Sequence, residues 1–210
     1  MSIDSAFLIT TFVTLFVVID PLALVPLFLA LTRGKPAEAR RRIAIRACLT
    51  AIGILTVFGA FGEAVLAFAG ISMPAFRVAG GLLLFLTALD MLFERRTKRR
   101  ENQAEEAEED DGHDPSVFPL AIPLIAGPGA IASTILLAGQ HPGLPGLAVV
   151  VAVMIFVVAL SMVSFMLSDL MEKMLGKTGI NVITRLLGML LAALAVQFVL
   201  DGLRDFGIAG

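Results

Sequence analysis

The chain has 210 residues, 58% of them hydrophobic, and a formal net charge of -2. An apolar share above the roughly 45–50% of soluble domains places it in a membrane, and the near-neutral charge gives no ground for a nucleic-acid partner. The single cysteine, Cys48, excludes an internal disulfide framework and any multi-cysteine metal motif, and reads as a small packed side chain at the head of a helix.

The amino terminus, MSIDSAFLITTF, lacks the basic region of a signal peptide, and its apolar run continues well past the length of one, so a retained first span is expected. Six apolar segments follow one another, near residues 6–31, 43–69, 72–93, 118–138, 146–168 and 179–203. Each is long enough to cross a bilayer as a helix. The first loop carries Arg33, Lys35, Arg40, Arg41 and Arg42, with Arg46 just inside the next helix. The third holds Arg95, Arg96, Lys98, Arg99 and Arg100, and the fifth Lys173 and Lys177. Loops two and four have no Lys or Arg, and the tail has only Arg204. Basic loops stay in the cytoplasm, so this alternation predicts six crossings of the cell inner membrane with both termini outside. With no Trp or Tyr, Phe and the basic loops must set the depth of the helices.

Residues 94–116 run from a basic block into an acidic one without apolar periodicity. They read as a solvated cytoplasmic linker, with a lipid-binding or regulatory tail as the alternative. On either side the chain repeats itself. Setting Pro21 on Pro128 and setting Arg77 on Arg185 require shifts that differ by one residue. The second also superposes Gly80 on Gly188 and leucines 82, 83, 86 and 92 on 190, 191, 194 and 200. Three spans per copy is an odd number, so the second copy enters the membrane upside down. The expected fold is an all-α polytopic membrane protein of six transmembrane helices, built as two inverted three-helix repeats, residues 1–93 and 117–210, with spans 1 and 4 interrupted.

The interruptions are Ile19-Asp20-Pro21 and Gly127-Pro128-Gly129. Helix breakers at that depth free backbone groups that lipid cannot satisfy, so each break must face protein or a wet cavity. Asp is a good N-cap and Pro suits the first helical position, so Asp20-Pro21 reads as a helix start inside a span, and Gly127-Pro128 repeats the grammar. Each half would then present a half-helix N-terminus, partially positive, suited to a carboxylate. Proline kinks in packed helices are the competing reading. Small and hydroxylated residues around the second break imply a small cavity and a small solute. The candidate substrate-binding set is Asp20, Pro21, Gly127, Pro128, Gly129, Ala130, Ser133 and Thr134.

Five charged residues fall inside spans: Asp20, Glu63, Arg77, Asp90 and Arg185. Unpaired at mid-membrane, each costs roughly 2.5–3.5 kcal/mol or more, so each needs a partner or water. Glu63 and Arg77, on helices joined by a short turn, are expected to pair, and Arg185 to meet Asp90 or Asp169. Such groups lock the bundle, gate it or bind a substrate carboxylate. His113 and His141 lie in loops, no Ser has a nearby His in the membrane, and no metal-ligand spacing or phosphate-binding loop occurs. No enzyme, metal or cofactor is expected, and any energy comes from a gradient or a partner.

Four segments, IDPLALVPLF (19–28), GISMPAFRVAGGLL (70–83), PLAIPLIAGPGAIAS (119–133) and NVITRLLGMLLAALAVQFVLDGL (181–203), closely resemble the MarC family of bacterial and archaeal inner-membrane proteins. The resemblance covers the chain apart from its central linker. Through the SnatA-like relatives it implies inverted three-helix repeats and a carrier of small neutral amino acids of the glycine, alanine and serine type, coupled to a proton or sodium ion. The family's paired motifs fall on Asp20, Pro21 and Pro26, and on Gly127, Pro128 and Gly129. Where relatives often carry Gly three residues after the first acidic or amide position, this chain has Ala23. A passive channel and a non-transporting regulatory subunit are the alternatives, and a homo-oligomer is left open.

Overall fold

Hydrophobicity sustained over about 20 residues can only be buried by a helix bundle in lipid, because no other open structure satisfies its own backbone there. The computed structural model describes residues 4–96, 98–100, 102 and 114–207, and these form helices with no strand among the described residues. In chain order they are α1 (Ser5–Ile19), α2 (Leu24–Leu31), α3 (Ala37–Phe68), α4 (Met73–Leu92), α5 (Ser116–Ile125), α6 (Pro128–Gln140), α7 (Leu144–Met166) and α8 (Ser168–Asp205). Helix α8 is kinked at Gly176, where φ is 58°, so its spanning part is Thr178–Asp205. Four helices cross by length and composition, and six spans result if α1 with α2 and α5 with α6 each count as one. These bent pairs turn by 42° and 56° at their breaks.

Local chemistry sets the ends. Asp4 accepts from the Phe7 N–H at 2.8 Å to open α1, and Ser72 accepts from Ala75 N–H at 3.3 Å to open α4, with Pro74 in its first turn. Asp114 accepts from Ser116 N–H at 3.0 Å and meets Arg46 of α3 at 3.1 Å. That backbone bond, helped by Arg46, holds its carboxyl below the usual range. Helix α5 is wound wide: Leu120 N–H bonds to Pro115 O and Ala126 N–H to Ala121 O, each five residues back. Pro119 and Pro123 remove donors, and the residues before them, Phe118 and Ile122, are extended, as a following proline demands.

Leu15 and Ile19 of α1, with Leu24 and Phe28 of α2, are fully buried, and the Phe28 ring stacks on Phe165 at 4.6 Å. Phe58, Phe61, Val65 and Phe68 of α3, with Leu82 and Leu86 of α4, face outward. Lipid covers such a surface at no hydrophobic cost. Cys48 is buried well inside α3 rather than at its head.

Helices α4 and α8 pack antiparallel along their length. A Cβ on Gly202 would lie 3.0 Å from Pro74 O, one on Gly81 2.8 Å from Ala195 O, and one on Gly188 3.3 Å from Ala88 O. Glycine lets the two backbones approach, which is how helices associate where lipid removes the hydrophobic drive. Gly81→Ala is expected to destabilise the fold by about 1–3 kcal/mol, since backbone rather than a side chain must give way. Gly53→Ala on α3, with nothing within 4 Å, should be neutral or stabilising. Unfolding in detergent micelles measures both.

Candidate functional site

The first break is made by one residue. Asp20 adopts the left-handed conformation (φ 56°, ψ 69°), and its N–H donates to Phe16 O at 2.9 Å, closing α1. Its side chain is fully buried, with Oδ1 accepting from Ala23 N–H at 3.3 Å and Oδ2 from the Thr184 hydroxyl at 3.2 Å. Asp20 therefore both ends α1 and caps the turn that follows. Pro21 does not open a helix as expected: the left-handed residue swings the chain through a turn at residues 21–23, and α2 starts only at Leu24.

At the second break the expected grammar appears. Gly127 is extended and Pro128 opens α6. A Cβ on Gly127 would sit 2.5 Å from Pro123 O, so only glycine fits. The first-turn N–H groups of α6 have no intrahelical acceptor. Helix α6 runs antiparallel to α1, with Gly129 against Val18 and the His141 ring 4.2 Å from that of Phe7.

A cavity of about 480 Å3 lies against this N-terminus. Its walls are Val18, Leu83, Leu86, Thr87, Asp90, Arg96, Arg99, Arg100, residues 123–125 and residues 127–130. Of the expected binding set, Gly127, Pro128, Gly129 and Ala130 line it. Asp20, Pro21, Ser133 and Thr134 do not. Asp20 is engaged with Thr184, and Thr134 donates to Ala130 O at 2.8 Å inside the bundle. Ser133 is fully buried with no hydrogen-bond partner among the described residues, as are Thr11 and Thr14 of α1. The cavity is larger than the small residues imply because long arginine side chains, rather than the helix faces, form one wall.

Those arginines stand at the basic start of the expected linker, residues 94–116, of which residues 97, 101 and 103–113 lie outside the described residues. Arg96 and Arg100 are buried. Arg96 donates to Val18 O and approaches the Met91 sulfur at 3.2 Å. Arg100 Nη2 donates to Ile19 O at 3.4 Å and to Leu124 O at 3.2 Å. Arg96 thus reaches the carbonyl end of the broken helix α1, and Arg100 those of α1 and α5, where free C=O groups and the negative end of the helix dipole favour a cation. Asp20 is the strongest countercharge acting on either.

The expected ion pairs are corrected throughout. Arg77 bonds Asp205, not Glu63, because α8 rather than α3 lies along α4. Arg185 meets Glu94 at 2.7 Å, Asp90 meets Arg99 at 2.9 Å, and Asp169 meets Arg40 at 3.3 Å. Asp90 is taken by an arginine close in sequence, and Asp169 by the start of α3. Glu63 lines two smaller pockets, one of about 270 Å3 between α3, the end of α6 and the start of α7, and one of about 350 Å3 between the end of α3 and the start of α4. Among the described residues no His, Cys, Asp and Glu cluster could hold a metal ion.

Residues 5–206, nearly the whole length, match the family described as MarC family integral membrane protein. The chain belongs to the MarC family. It is similar to the UPF0056 membrane protein YvbG of Bacillus subtilis (strain 168), with 38% identity over 200 residues and 95% of each chain covered. It is likewise similar to a UPF0056 membrane protein of Aquifex aeolicus (strain VF5), 38% identical with 94% and 92% covered, and to YhcE of Escherichia coli (strain K12), 34% identical with 92% and 90% covered. No solved structure matches the chain. As a MarC-family protein it is a multi-pass integral membrane protein, and its relatives' names carry no substrate.

Proposed function

We propose that the protein is a secondary transporter of small neutral amino acids of the glycine, alanine and serine type, driven by a proton or sodium gradient. The observation that carries this reading is the cavity at the N-terminus of α6, where free N–H groups and the helix dipole suit a carboxylate at the depth of a broken span. Two inverted repeats, residues 1–93 and 117–210, would rock against each other for alternating access. In support, both interrupted spans are bent at their breaks, and the third helix of each half forms one antiparallel seam. Arg77 and Arg185 hold acids on the partner helix side at opposite ends of that seam, Asp205 and Glu94, as gates or locks. Asp20, buried on two neutral donors, is the group suited to the coupling ion. With the basic loops in the cytoplasm, both termini lie outside and the cavity opens inward.

Proteoliposomes test this. Saturable uptake of labelled alanine, glycine or serine under an imposed proton or sodium gradient is expected, with faster exchange against internal substrate. Absence of saturable uptake and exchange for all three would sink the proposal. Single-channel current without exchange would establish a pore instead.

A further inference from the structure

The wall of the cavity carries three guanidiniums, those of Arg96, Arg99 and Arg100, against one carboxylate, Asp90. Arg99 and Asp90 neutralise each other at 2.9 Å. Arg96 and Arg100 remain, 7% and 5% exposed, and among the described residues they bond only neutral acceptors. Among the described residues Arg100 Nη1 has no hydrogen-bond partner. Asp20, outside the cavity wall, offsets one of these two buried cations; the other, beside the positive end of α6, leaves a deficit that the carbonyls offset in part and that an anion at that place removes.

Resting on the transport reading for the identity of its ligand, we propose that Arg100, with Arg96 behind it, completes a carboxylate-binding subsite with the first turn of α6. The guanidinium fork and the helix N–H groups approach the same anion from two sides, a geometry suited to a planar carboxylate. Thr87, on the facing wall of α4, and the Asp90 oxygen that Arg99 does not take, Oδ1, are left for the ammonium group of the same solute. Thr87 already donates its hydroxyl proton to Leu83 O at 2.9 Å, so only its lone pairs are free, and these accept from a cation. The subsite thus takes a zwitterion by its carboxylate end and rejects simple amines.

The test is a thermal-shift and calorimetric titration of the full chain in nanodiscs with alanine, acetate, ethylamine and chloride. Alanine and acetate should bind, and ethylamine should not. Arg100→Gln should weaken alanine and acetate by about tenfold or more, the usual loss of a charge-assisted hydrogen bond. If that variant fails to fold, Thr87→Asp serves, because it places a tethered carboxylate in the same cavity and should abolish acetate binding. Unchanged acetate affinity in either folded variant, or no binding of any probe to the unaltered protein, would overturn the subsite. Protection by chloride equal to that by acetate would overturn the carboxylate assignment. Acetate binding that depends on Arg100 without alanine binding would uphold the anion subsite while removing the amino-acid reading.

Discussion

Asp20→Ala is expected to cost on the order of 3 kcal/mol or more, enough to remove most of a membrane protein's margin, whereas Asp20→Asn should fold. Three separate losses converge in the alanine variant. A left-handed backbone position loses one of the few residue types that tolerate it, the Ala23 N–H loses its cap, and the buried Thr184 hydroxyl loses its acceptor. The countercharge facing Arg96 and Arg100 goes as well. Asparagine keeps the left-handed tolerance and the cap, and its amide can donate to the Thr184 hydroxyl in place of accepting from it. The two variants therefore separate structure from coupling. If Asp20 holds the coupling ion, Asp20→Asn exchanges labelled alanine across proteoliposomes but no longer accumulates it against a gradient. Unfolding in detergent micelles checks the first half, and an Asp20→Ala protein as stable as the unaltered chain would refute the capping role.

The spans were legible because burial in lipid needs nothing more than length and apolarity, and the breaks because Pro next to Asp or Gly interrupts the hydrogen-bond ladder of a helix. The handedness at Asp20 was not legible. Asp serves equally as an N-cap and as a left-handed terminator, and only the path of the chain distinguishes them. Arg96 and Arg100 were hidden because basic residues after a span are read as marking its cytoplasmic side, and that reading accounts for them without seeking a further role. Their spacing of four, on a helical turn following α4, was the available clue, since it places both on one face. The ion pairs failed for a related reason. Glu63 and Arg77 are neighbours across a short turn, but sequence proximity is a poor guide where α4 packs along α8, distant in the chain. The superposition of Arg77 on Arg185 already held the better inference, that each belongs to the same seam.

Gly127→Ala is expected to strain the second break directly. The new Cβ would meet the Pro123 carbonyl oxygen at 2.5 Å, and that oxygen belongs to backbone, so no rotamer change relieves the clash. Relief requires moving Pro123 and with it Leu124, whose carbonyl Arg100 holds, so the strain passes directly into the cavity wall. A cost of about 1–3 kcal/mol in unfolding is expected, with loss of uptake even where the protein remains folded. Gly129→Ala gives the contrast. Its Cβ would meet the end of the Val18 side chain at 3.2 Å, a contact that a small shift relieves, so the fold should survive while the cavity narrows beside Thr87. If substrate lies at the α6 N-terminus, this variant keeps glycine exchange and loses the bulkier serine first. Equal retention of both amino acids in Gly129→Ala, together with normal uptake by Gly127→Ala, would move the transport path away from the second break altogether.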